Sequence, residues 1–125
     1  MIETHAMTPI DSIVEGYFAM WNQTDATRRR EVIAATWSPD ASFLDPMFNA
    51  AGHEALDTLV ATVHERFPGH RFELTGTIDA HHDRAWWGWQ LTGPEGPVAA
   101  GVDFALRSDD GRLRDVTGFF QPTAT

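Results

Sequence analysis

The chain of 125 residues contains no cysteine and no lysine. Without cysteine there is no thiolate nucleophile, no disulfide and no thiolate-ligated zinc. Without lysine there is no Schiff base, no lysine-anchored pyridoxal phosphate and no Walker-type phosphate loop. The nine cations are all arginines, set against eighteen acidic residues, and the formal charge of −9 opposes nucleic-acid backbones and anionic lipid. No apolar run approaches the ~20 residues of a membrane span. The opening stretch MIETHAMTP has neither the basic nor the apolar region of a secretory signal. The expectation is a cytoplasmic protein, with an uncharged or weakly polar small molecule open as its ligand.

Apolar and aromatic residues are plentiful. Hydrophobic content is 42%, with eight phenylalanines and five tryptophans, which suffices for one core. A single domain over residues 1–125 is expected, with 1–7 as a flexible leading segment. In TPIDSIVEGYFAMWN, the apolar residues Ile10, Ile13, Val14, Tyr17, Phe18 and Trp21 fall on one helix face, with Thr8 as cap and Pro9 in the first helical position. A shorter helix follows Thr24 or Asp25, with Val32, Ile33 and Trp37 inward, Arg28, Arg29 and Arg30 outward, and SPD at 38–40 ending it. ASFLDP predicts a short strand that Pro46 terminates. Gly52 opens a third helix carrying Leu56, Leu59, Val60, Val63 and Phe67 on one face, and Pro68-Gly69 stops it.

Four segments of strand character follow: RFELTGTIDA, RAWWGWQLTG, PVAAGVDFALRS and RLRDVTGFFQ, separated by the turn signals HHD, PEG and DDG. Such short connections predict an antiparallel meander. Helices first and strands later indicate an α+β fold. Glycines 76, 88, 101 and 118 inside the strands are read as bend positions, so the expected sheet is mostly antiparallel and strongly curved. Three helices are expected to close its concave side around an apolar pocket.

Asp45 stands in SFLDPMF, a carboxylate inside an apolar run and directly before proline. It either ends the strand as an Asp-Pro turn bonded to nearby amides, or points into the pocket as a general base. Tyr17, the single tyrosine, either packs structurally or donates to a developing oxyanion. Strict alternation along PVAAGVDFALRS leaves open which face Asp103 takes. The aromatic residues Trp21, Trp37, Phe48, Phe67, Trp89 and Phe120 are expected to bind substrate. Trp87 and Trp89 share a strand face and Trp86 takes the other, which predicts an outer apolar ring and a homodimer through the outer sheet face. DAHHD at 79–83 lacks the arrangement of a metal site, because adjacent strand histidines diverge and the segment reads as a turn.

The order of elements, together with YFAMWN, WSPDASFLDP, AGHEAL, VDF and DGRLRDVTGFF, resembles the nuclear transport factor two-like superfamily over about residues 8–121, in particular its SnoaL-like branch. By similarity to ketosteroid isomerase, a member of that superfamily, Tyr17 takes the place of an oxyanion-binding tyrosine. Asp45 before Pro46 takes that of the general base, and Asp103 that of a protonated second oxyanion donor. SnoaL-type polyketide cyclases also use pocket acid-base residues, for which Asp103, Asp115 and His53 are the positions available. The resemblance implies a cone-shaped fold, a curved sheet closed by helices around a pocket, and cofactor-free proton transfer beside a carbonyl on a hydrophobic ringed substrate, by an isomerase or a cyclase. The alternative is a ligand-binding or dimeric interaction domain of the same fold without catalysis.

Overall fold

The computed structural model describes residues 8–122, so the leading segment expected at 1–7 lies outside the described residues. Helix α1 spans Ile10–Asn22. Pro9 occupies its cap position with an extended backbone, and no side chain caps it, so Thr8 does not take the capping role. The predicted stripe turns inward, burying Ile13, Val14, Tyr17, Met20 and Trp21. Helix α2, Ala26–Thr36, begins at Asp25, whose carboxylate accepts the Arg28 N–H at 2.8 Å.

Arg29 corrects the expectation of an outward arginine cluster. It is buried, with Nε 2.6 Å from Asp57 Oδ1 and Nη1 donating to the Gln23 carbonyl at 2.8 Å. Burying a guanidinium requires such partners. Asp57 belongs to α3, His53–Arg66, so this pair ties α2 to α3. Gly52 precedes α3 at φ 88°, a left-handed conformation that a side chain would strain.

Strand β1, Trp37–Leu44, leaves α2 without an intervening loop and runs through SPD. Pro39 is tolerated because the register shifts between Trp37 and Ser42, where an amide donor is not needed. The remaining strands are β2 (Asn49–Ala51), β3 (Arg71–His81), β4 (Arg84–Gly93), β5 (Gly96–Arg107) and β6 (Leu113–Gln121). They form one sheet in the order β2-β1-β6-β5-β4-β3. The last four make the predicted antiparallel meander, while β1 pairs with β6 in parallel, so the sheet is mixed.

The expectation of a closed, strongly curved cone is wrong. The sheet is open, with β2 and β3 as unjoined edges, and it is not strongly curled. The strand glycines serve another purpose than bending. Of the four glycines read as bends, only Gly76 has a positive φ, at an irregularity between Thr75 and Asp79. Gly101 instead lies where a Cβ would strike first the Phe119 carbonyl and then the Trp89 ring at 2.7 Å, and Gly118 where it would strike the Asp103 carboxylate at 2.8 Å. These positions make room for neighbouring side chains.

The core lies between the helices and one sheet face. Trp37, Trp87, Tyr17, Met20 and Ile33 are its largest fully buried side chains. Alternation along β4 places Trp87 and Trp89 on this inner face and leaves Trp86 outside, 46% exposed.

Candidate active site

Tyr17 reaches the sheet from the middle of α1, and its hydroxyl donates to Asp103 Oδ2 at 2.7 Å. This contact settles the orientation that alternation left open. Asp103 faces inward, 4% exposed, between its cross-strand partners Trp87 and Gly118. Tyr17 is packed among the rings of Phe18, Trp21, Trp37 and Trp87, with centroids 5.1–6.3 Å away.

Asp45 follows the end of β1. Its backbone N–H donates to the Phe48 carbonyl at 3.0 Å, while its Oδ1 accepts the amides of Met47 at 2.8 Å and Phe48 at 2.7 Å. Oδ2 takes no hydrogen bond among the described residues. The carboxylate is thus a turn-former through one oxygen and, half-buried, a cavity-lining group through the rest of the side chain. The two readings open in the sequence are compatible. Parallel pairing of Leu44 with Thr117 carries Asp45 to the level of Gly118. A Cβ there would lie 2.8 Å from Asp103 Oδ1 and 3.2 Å from Asp45 Cβ, so the absent side chain is what lets the two acids share one neighbourhood.

Burial pushes the Asp103 carboxyl up to about 7. The Tyr17 hydroxyl opposes that shift, the nearby negative charge of Asp45 adds to it, and the indoles of Trp89 and Trp87 oppose it weakly. Burial, with the Asp103 charge second, holds the Tyr17 phenol well above its ordinary range. Below about pH 7 this end of the cavity therefore presents two neutral oxygen acids side by side. Trp37 Nε1 and Trp87 Nε1 are buried without a hydrogen-bond partner among the described residues.

The cavity itself measures about 160 Å³. An apolar protein cavity of ~150 Å³ admits benzene, so this one suits a single ring. Its walls come from α1, the β1 end, the end of α3 and strands β3–β6. Trp21, Phe72, Trp89 and Phe120 form a continuous aromatic side, successive centroids standing 5.0, 5.8 and 6.0 Å apart. Met47, Phe67 and Phe120 are 60%, 38% and 47% exposed and mark the mouth.

Of the residues named from the sequence, Tyr17, Asp45, Asp103, Trp21, Phe48, Phe67, Trp89 and Phe120 converge on this cavity. Trp37 does not. It packs behind Tyr17 as a core residue, because β1 turns it beneath the first helix. Asp115 and His53 also lie away from the cavity. Asp115 Oδ1 accepts the Ser42 hydroxyl at 2.6 Å, and His53 Nε2 is within 3.1 and 2.9 Å of the Trp37 and Ser38 carbonyls. Phe43, Phe72, Leu91 and Arg66 also line the cavity and were not singled out in sequence, while Phe18 was read only as part of the α1 stripe and Gly118 only as a bend. Arg66 follows Val63 by three positions on α3 and was legible by helix spacing; the role of Gly118 depends on cross-strand register alone. Among the described residues no group of three or more metal-ligating side chains occurs, and no helix is long and apolar enough to cross a membrane.

A SnoaL-like domain matches residues 14–116. A solved structure from Agrobacterium tumefaciens str. C58, provisionally described as an isomerase of the SnoaL-like family, is 32% identical with a TM-score of 0.85, covering 89% of this chain and 96% of that one. Two others share the fold at 19% identity and TM-score 0.68, both provisionally described as polyketide cyclases. The one from Sinorhizobium meliloti covers 89% of this chain and 94% of that one, and the one from Jannaschia sp. CCS1 94% and 92%. No curated protein matches the chain in sequence. On the extent of the domain match and of the Agrobacterium relative, the chain belongs to the SnoaL-like family of the NTF2-like superfamily.

Proposed function

We propose that the protein catalyses proton transfer at a carbon beside a carbonyl, without a cofactor, on a small hydrophobic ringed substrate, as an isomerase or cyclase. The observation that carries this reading is the Tyr17–Asp103 hydrogen bond at an apolar cavity that Asp45 also lines. In this mechanism the substrate carbonyl oxygen lies against Tyr17 and protonated Asp103. Asp45, through Oδ2, removes the adjacent proton. As the carbonyl oxygen becomes negative, both neutral acids donate to it in surroundings that water screens little. The proton held on Asp45 is then returned to another carbon for isomerisation; for ring closure the enolate carbon bonds to a second carbonyl carbon, whose C=O π bond breaks, and the resulting alkoxide takes the proton from Asp45.

The roles divide by environment. Asp103 is buried and its carboxyl is raised, so it serves as donor; Asp45 keeps a turn contact and access to the cavity, so it serves as base. The provisional descriptions of the Agrobacterium, Sinorhizobium and Jannaschia relatives as isomerase or cyclases agree with this chemistry. The test is hydrogen–deuterium exchange at the α-carbon of small cyclic ketones in D2O, followed by NMR. Wild-type protein should accelerate exchange, and Asp45→Asn, whose amide oxygen can still accept the turn bonds, should lower the rate by about 10²–10⁴-fold while remaining folded. Equal exchange by the variant removes Asp45 from the mechanism.

A second reading concerns assembly. Trp86 and Phe104 are directly paired on the outer sheet face, and Val98 and Phe119 add to the exposed apolar surface, at 46%, 41%, 51% and 55% exposure. This surface supports a homodimer through the outer face of the sheet. Sedimentation of Trp86→Glu against wild type tests it: a dimer that becomes a monomer supports the reading, and a wild-type monomer at high concentration removes it.

A further inference from the structure

Arg66 stands in the last turn of α3, one turn beyond Val63, which lines the cavity. It is the single cation among the described residues that line the cavity. Its guanidinium carbon lies 5.6 Å from the centre of the Phe48 ring, at the exposed end of the cavity. No carboxylate pairs with it among the described residues, whereas Arg29, Arg30, Arg84, Arg112 and Arg114 each stand within 4.0 Å of one. A cation at a helix C-terminus is favourable in itself, but that accounts for its presence and not for its position at an apolar mouth. The ring contact limits the freedom of a long side chain and presents its donors at the opening.

We propose that Arg66 anchors a carboxylate of the substrate, whose class is therefore a monocyclic keto acid: ring and carbonyl inside, carboxylate at the mouth. This rests on the reading of the cavity as the substrate site. The volume of about 160 Å³ holds a single ring and leaves a charged substituent no place within. The two acids of the cavity attend to the carbonyl end, so Arg66 is the group suited to a distal anion. A carboxylate matches the guanidinium fork through two parallel hydrogen bonds. The formal charge of −9 sets a stronger penalty on a dianion, which favours carboxylate over phosphate.

The probes are 3-oxocyclohexane-1-carboxylate and its methyl ester, titrated at low ionic strength against the fluorescence of Trp21 and Trp89. Wild-type protein should bind the acid about tenfold more tightly than the ester, and Arg66→Gln should bring the two affinities together. Arg66→Lys should restore part of the preference. Equal binding of acid and ester by wild type overturns the proposal, as does a preference that survives in Arg66→Gln. Binding of neither probe overturns it together with the cavity reading, while the expected acid preference without α-exchange by wild type supports it and overturns the catalytic reading alone.

Discussion

Replacing Asp103 by asparagine keeps the shape of the side chain and an oxygen that can accept the Tyr17 hydroxyl, while removing the titration. The Asp103 carboxyl moves from an ordinary value of 3.8 to about 7 on folding. The folded protein therefore holds a proton there over a pH range in which the unfolded chain has released it. Stability from this group is complete below about pH 4, declines as pH rises toward 7, and is gone above it. The interval is roughly three pH units at about 1.36 kcal/mol each, or about 4 kcal/mol lost between pH 4 and 8. Asparagine has no such slope. Urea unfolding followed by tryptophan fluorescence should therefore give a difference between variant and wild type that shifts by about 4 kcal/mol in the variant's favour from pH 4 to pH 8. Titrations elsewhere in the chain are common to both proteins and cancel in that comparison. A difference that changes by less than about 1 kcal/mol over the range would refute the placement of a proton on buried Asp103.

Tyr17→Phe removes the hydroxyl that favours the Asp103 carboxylate, so Asp103 should titrate above about 7, as seen by carbon NMR of its carboxyl group. Unchanged titration would show that the hydrogen bond does not influence it. Gly118→Ala places a Cβ 2.8 Å from Asp103 Oδ1, and should cost about 1–3 kcal/mol in urea unfolding and slow α-exchange together. Exchange at the wild-type rate would mean that the spacing of the two acids is irrelevant. For wild type, exchange rates should fall as pH rises through about 7, where Asp103 loses its proton, and Asp103→Asn should lack that fall. Asp110, held down to about 2 by the Ser108 hydroxyl and then the Arg112 amide, adds stability above about pH 4 that is lost as pH falls toward 2. Asp110→Asn should flatten that acid limb in unfolding experiments.

How much of this was legible in the sequence follows from the range of the interaction behind each feature. Local periodicity placed α1 and α3, and strand alternation put Trp87 and Trp89 on one face with Trp86 on the other. The same alternation could not orient Asp103, since its pattern is symmetric until Tyr17 supplies a contact 86 positions away in sequence. Arg29 looked solvent-facing within its arginine run because its partner, Asp57, lies on another helix. The parallel pairing of β1 with β6 leaves no short-range mark, and with it were hidden both the mixed sheet and the approach of Asp45 to Asp103. Glycines 101 and 118 were read as bends because a missing side chain has two uses, backbone freedom and clearance, that a sequence does not separate. Their φ values and the atoms facing them do separate the two: at these positions the backbone is ordinary, and the neighbours are the Phe119 carbonyl and the Trp89 ring at Gly101 and the Asp103 carboxylate at Gly118. Clearance ties fold to chemistry directly. A sheet that needed Gly118 for bending would tolerate alanine at some cost in shape alone, whereas one that needs it for room loses the placement of an acid whose proton the proposed reaction requires.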